Sequence, residues 1–400
     1  MQTVCYDIPM PIKLHLVVAP FLFLAVFQLA GCTNLNRSGQ FPPGGTYLSN
    51  SAGANFDQSV VLAEDSEQSI APFPLRHAHR PTHNSNLIYI AAGEEGIVAS
   101  EDGGRSWRVI ATPLAQVIDV ALLQNGTTVA TGVDGDGRGF IIRRLSEDSP
   151  WEVVLTVPVP VDTKSFQIIK GETLSSVVLT IAVDPFDLNR LYAGSNLGTI
   201  LAGEQSAKTW RTIHSVESSR FDPSGTRQNL GIEDLLPSPH APGEILLLTF
   251  DKTLYRLQNG AQTEIKVPLY INTAPPFGTG GTQTRKVLDA NYIPSDPNVL
   301  LAATSEGIVI TPDNGATWGV LSVPIETTQN RGFNSAVITT SPTNPSRILV
   351  AINSVLYRSE DAGASWNTFD FHLPSHIINA ILIDPTNAAN VLVVTSLLAS

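Results

Sequence analysis

The sequence predicts an all-β fold, a single seven-bladed β-propeller of four-stranded blades. Three observations carry this. The five tryptophans of the 400-residue chain (Trp107, Trp151, Trp210, Trp318 and Trp366) all close one repeated motif, at spacings of 44, 59, 108 and 48 residues. A second string, an Asp or Asn followed by Pro and an apolar run, precedes the motif in several copies. The last repeat breaks off near the C-terminus, and its missing half can be read near the N-terminus.

The motif runs Ser/Thr-x-Asp-x-Gly-x-Ser/Thr-Trp. Ser100 to Trp107, Thr311 to Trp318 and Ser359 to Trp366 are nearly intact, whereas Ser146 to Trp151 and Gly203 to Trp210 are worn. Asp102, Asp148, Asp313 and Asp361 are expected to accept bonds from nearby backbone N–H groups and so close a turn. The Gly supplies a positive φ. The Trp opens the next strand and covers apolar surface. The 108-residue gap is a doubled period and predicts a unit without Trp near Leu257 to Glu264. Periods of roughly 40–50 residues fit one four-stranded blade.

The second string reads Asp184-Pro185 before Leu191 to Gly194, Asp296-Pro297 before Val299 to Ala303, and Asn344-Pro345 before Ile348 to Ala351. Pro and Asn mark a turn and the apolar run a buried strand. One unit is therefore strand A, a turn, strand B, a hairpin, strand C, the motif, and strand D.

The final unit has strand A at Ile377 to Ile383 and strand B at Val391 to Thr395. Alone, those two strands would leave an open edge. Tyr47 to Phe56 aligns with Tyr357 to Trp366, with Ser51 for the Asp and Phe56 for the Trp. Residues from about Tyr47 to Val61 are therefore expected to complete the last blade as strands C and D.

The motif resembles the Asp-box, or BNR repeat, of β-propellers. The resemblance covers roughly Tyr47 to Ser400 and implies the fold. Families that share it include sialidases, Vps10-type sorting receptors, xyloglucan-cleaving glycosidases and lumenal photosystem II assembly factors. Because the motif is structural, it does not choose among them.

Residues 1–31 read as a signal peptide. Ile12 to Ala30 is apolar behind the single cation Lys13, and Leu29-Ala30-Gly31-Cys32 resembles the bacterial lipobox. That resemblance implies lipidation at Cys32, a bilayer partner and an extracytoplasmic location on a bacterial membrane. Residues 32–45 read as the lipidated Cys and a Pro/Gly-rich tether, and 46–400 as the propeller. Charged residues are 15 %, with 30 Gly and 28 Pro, as a turn-rich all-β chain requires. The formal net charge of −12 disfavours broad nucleic-acid binding. A monomer without a cofactor or metal is expected.

Long connections between strands D and A fall on the face opposite the motifs, where a rigid scaffold usually binds. Arg76, Arg227, Arg285 and Arg331 each precede an innermost strand. They are candidates for an anionic ligand, because clustered guanidinium groups favour carboxylate or phosphate. His77 and His79 share a strand face as candidate channel-lining residues, with His83 nearby. Asp134-Gly135-Asp136-Gly137 resembles the start of a calcium loop without its bidentate Glu, at a B–C hairpin. The expected function is a non-catalytic binding or assembly scaffold for a protein or glycan. The alternative is an exo-sialidase or other glycoside hydrolase using the arginines, with Tyr292 and Glu233 as a Tyr–Glu pair. No Arg-Ile-Pro string supports that alternative.

Overall fold

The computed structural model describes residues 42–157, 176–216, 230–271, 283–324, 335–371, 373 and 375–397. They form seven four-stranded antiparallel sheets. Blade 1 takes Ala78–His79, Ile88–Ala91, Ile97–Ser100 and Arg108–Ile110 as strands A to D. Blades 2 to 6 repeat the plan from the A strands Gln116–Leu122, Val178–Asp184, Ile232–Pro237, Val287–Ile293 and Ala336–Thr340.

Blade 7 is composite. His376–Ile383 and Val391–Leu397 are its A and B strands, and Gly45–Ser49 and Asp57–Gln58 are C and D. The junction pairs Gly45 with Thr395 and Ser49 with Val391. Tyr47 and Phe56 close an aromatic cluster with Phe369 and Phe371 of blade 6. The expected signal peptide, Cys32 and most of the expected tether lie outside the described residues.

The core is divided among the seams. Seven buried apolar clusters each draw mainly on two neighbouring blades. A B strand is covered on both faces, so it reads as an unbroken apolar run, as in Ile348–Ile352 and Ile245–Thr249. Outer D strands such as Glu152–Thr156 are half in water.

Each intact motif forms the C–D turn of its blade. Asp102 accepts from the N–H groups of Arg105 (2.8 Å) and Ser106 (2.9 Å) and from the hydroxyls of Ser100 and Ser106. Asp313 and Asp361 repeat this with Thr317 and Ser365. The Ser365 hydroxyl first, then its N–H, holds the Asp361 carboxyl at about 2. The leading hydroxyl accepts the glycine N–H in each copy, and Ser49 still does so for Gly53 at 2.9 Å. The worn copies differ. Asp148 is exposed and makes no such bonds, and the turn there closes through Ser146 and Ser149. The Trp210 turn has no Asp at all. It runs through three left-handed residues, Gln205, Ser206 and Ala207, with φ of 52, 57 and 61 degrees. Leu254–Gln258 and Ala261–Ile265 are the unit without Trp, joined by the positive-φ pair Asn259-Gly260.

The tryptophans divide into two uses. Trp107, Trp151 and Trp318 donate Nε1–H to Ser59, Ala111 and Lys266 of the preceding repeat, tying blade to blade. Trp210 and Trp366 donate to carbonyls of their own turns, Ala207 and Gly363.

A second tie crosses three seams. Arg143, Arg256 and Arg358 each pair with the second residue of a B strand: Val129, Leu246 and Leu349. Each reaches the C–D turn of the following blade. Arg143 holds the carbonyls of Gln205 and Ser206, Arg256 the Asn314 side chain, and Arg358 the carbonyls of Ser51 and Ala52. Arg358→Ala should cost about 1–2 kcal/mol, because charged donors to half-buried carbonyls are lost. Urea unfolding measures this, and an unshifted midpoint would show the tie to be idle.

Candidate functional site

All seven A strands line one central cavity of about 440 Å³. Five of them carry a β-bulge at the same level, with the register shifting at Val117/Asp119, Val178/Thr180, Ile232/Asp234, Val287/Asp289 and Ile378/Ala380. A bulge leaves backbone groups unpaired and re-aims side chains. Here a polar residue at the bulge supplies the missing partners. Asp119 accepts the N–H of Val120 at 2.7 Å and that of Ile181 in the next blade at 2.7 Å. Asp289 does the same for Ala290 and Ile338, both at 2.7 Å. Asp234 accepts from Leu235 and from the Thr180 hydroxyl. Asn379 donates to the Leu75 carbonyl across the closing seam.

The cavity is therefore electrostatically uneven. Blades 2, 4 and 5 contribute Asp119, Glu233, Asp234 and Asp289, while blades 6 and 7 contribute Val337, Ile338, Ile378 and Ala380. Lys252, at φ 64 degrees on a B–C hairpin, pairs with Glu233 at 2.6 Å. Burial, only partly offset by His77, raises Asp119 to about 6. Burial first and the like charge of Asp234 next raise Asp289 to about 8. Asp234 is raised mainly by burial.

His77 and His79 both line the cavity. His77 Nδ1 lies 3.9 Å from Asp119. His79 Nε2 is 3.2 Å from the Leu122 carbonyl, and burial lowers its pKa to about 4 despite that contact. Arg76 is exposed, and neither it nor Arg285 lines the cavity. Arg285 instead donates to the carbonyls of Pro268 and Leu269 at 3.2 Å each. Arg227 and Arg331 lie outside the described residues.

The Tyr292–Glu233 pairing is overturned. Asp289 and Asn291 face the cavity, so strand alternation turns Tyr292 away, into the core between blades 4 and 5. Its hydroxyl donates to Glu244 at 2.8 Å, and burial first, then Glu244, raises its pKa. Glu233 is held by Lys252. At the Asp134 hairpin the Arg138 guanidinium sits 2.6 Å from Asp134 and 3.1 Å from Asp136. Among the described residues no three His, Cys, Asp or Glu side chains gather as a metal site.

The sequence reading missed the bulge acids. Their signal is a short repeat, Val117-Ile118-Asp119-Val120, Ile232-Glu233-Asp234-Leu235 and Val287-Leu288-Asp289-Ala290, with Thr180 in the same place.

The chain matches no protein-family model and no curated protein. Its fold is similar to that of YCF48 from Cyanidioschyzon merolae, at 13% identity over 80% of this chain and 95% of that one, with a TM-score of 0.54. It is likewise similar to YCF48 bound to D1 peptide, at 16% identity over 82% of this chain and 94% of that one, with a TM-score of 0.54. At these identities the likeness is one of fold.

Proposed function

We propose that this chain is a lipid-anchored, extracytoplasmic binding or assembly scaffold of the Asp-box propeller type. It engages a protein partner on the face opposite the Trp-bearing turns. The observation that carries this reading is the asymmetry of the two faces. One face carries the short turns, where Asp102, Asp313 and Asp361 are bonded within their own turns. The other holds the channel mouth and the Lys252–Glu233 pair, and it is the face to which the sequence assigns the long D-to-A connections, which lie mostly outside the described residues. Rigid elements with long loops at one end suit recognition. A similar propeller solved with a bound peptide supports a protein partner. Of the two arginines of the set among the described residues, Arg76 is the exposed one, and an acidic segment is the chemistry it favours.

A photo-crosslinking residue at Arg76 should capture one partner from intact cells, and the same residue at Glu147 on the turn face should not capture that partner. Equal capture from both faces refutes the assignment. Anchoring has its own test. Cys32→Ser should move the protein out of the membrane fraction or leave an uncleaved precursor, and an unlipidated mature N-terminus at another residue refutes it.

A further inference from the structure

The turn face carries a second site. A cleft of about 330 Å³ opens at the seam between blade 7 and blade 1, lined by Leu48, Asn50, Asp57, Asn86, Gly103 and Asp384. Its position within the repeat sets it apart from three other seams. Leu48 pairs with Leu392, the second residue of its B strand. That is the place held by Arg143, Arg256 and Arg358 in blades 2, 4 and 6. At those seams a guanidinium crosses to the next C–D turn. At this seam an apolar side chain stops short, and the volume stays open.

The surroundings of that volume match the missing group. Ser49 and Gly53 correspond to Ser100 and Gly104 in the turn hydrogen bonds, so Ala52 corresponds to Gly103. Arg358 holds the Ala52 carbonyl at 3.2 Å, and the Gly103 carbonyl takes no hydrogen bond from the described residues. Asp57 is exposed at the cleft. Asp384 is buried beside it and accepts from Thr386, Asn387 and Asn390. Arg80 lies close enough to Asp384 to feel its charge. Arg105 also lines the cleft, its guanidinium turned onto the Asp102 carbonyl at 2.6 Å, the counterpart of the Ser51 carbonyl that Arg358 holds. Two side-chain amides, Asn50 and Asn86, the Gly103 carbonyl and the Asp57 carboxylate share this lining, a set that suits a flat five-donor cation better than a point charge.

The geometry points to a guanidinium site in this cleft, taking an arginine side chain of a partner protein where the ring's own arginine stands at three other seams. The site is on the opposite face from the one in the proposed function and does not depend on it.

The probe is N-acetyl-arginine N-methylamide, titrated into the full-length chain and followed by the amide resonances of Gly103 and Asn86. Saturable shifts at millimolar probe are expected. The lysine analogue should bind at least tenfold more weakly, and the citrulline analogue, which is neutral and similar in shape, should leave the resonances in place. Leu48→Arg should fill the cleft from within, raise the melting temperature and abolish the shifts. Asp57→Asn, at an exposed position, should weaken the probe at least threefold without altering the fold, and it decides the matter if the Leu48 variant fails to fold. Equal shifts from citrulline or lysine, or unchanged probe affinity in the Asp57 variant, overturn the inference.

Discussion

Deleting residues 46–62 is expected to abolish the soluble monomer, although the segment is a small part of the chain. It removes strands C and D of blade 7, and with them the ladder from Thr46–Val394 to Ser49–Val391. Val391 to Val394, now fully buried, would become an edge with unpaired N–H and C=O groups and an apolar face. The loss spreads to both neighbours. Phe56 and Tyr47 cover Phe369 and Phe371 of blade 6, and Ser59 accepts the Trp107 indole N–H of blade 1. Val60 belongs to the cluster shared with Ile88 and Leu75. A ring has no stable open form that keeps both ends covered, so the expected result is aggregation, or a domain-swapped oligomer on size exclusion. A monomer with an unchanged melting temperature would mean that the closure contributes nothing.

That closure was legible because the repeat could be compared with itself. Ser49, Gly53 and Phe56 keep the spacing of Ser359, Gly363 and Trp366, and the Ser49–Gly53 hydrogen bond shows why those positions outlast the lost Asp. Asp148 teaches the converse. Its spacing resembles the motif, but Pro150 follows where the intact copies carry Gly and Ser or Thr, and the bonds are not made. The channel was less legible. One Asp in an apolar strand looks like an interruption until the bulge is known, because the bulge both requires and positions it. Tyr292 was misread for the same reason. Its sequence neighbours place it on an inner strand, but only the register shows which face of that strand it occupies. The Arg143, Arg256 and Arg358 ties follow from a comparison of strand positions that becomes available once cross-strand partners are known.

The channel acids make stability depend on pH with a sign opposite to that of most carboxylates. A folded-state pKa raised above the unfolded value means that the native protein binds the proton more tightly. Stability is then highest below the unfolded value and declines as pH rises through the folded one. For Asp119 the decline runs from 3.8 to about 6, and for Asp289 from 3.8 to about 8. His79 acts against them, because its pKa is lowered from 6.5 to about 4 and the unfolded chain binds the proton more tightly across that interval. Below pH 6.5 these effects partly cancel. From 6.5 to 8, His79 and Asp119 are past their midpoints, and Asp289 is the acid whose midpoint lies in the window, beside Asp234, itself raised by burial, and the Lys252–Glu233 pair. One proton over that interval corresponds to about 2 kcal/mol of lost stability. The melting temperature should therefore fall between pH 6.5 and 8. Asp289→Asn cannot ionise, so it should flatten that slope whatever its own baseline stability, since one of the two N–H acceptors is also lost. Asp119→Asn should leave the slope in this window in place. Thermal melts of the three proteins at pH 5, 6.5, 8 and 9 decide the point, and a wild-type slope that survives Asp289→Asn would place the titrating proton elsewhere.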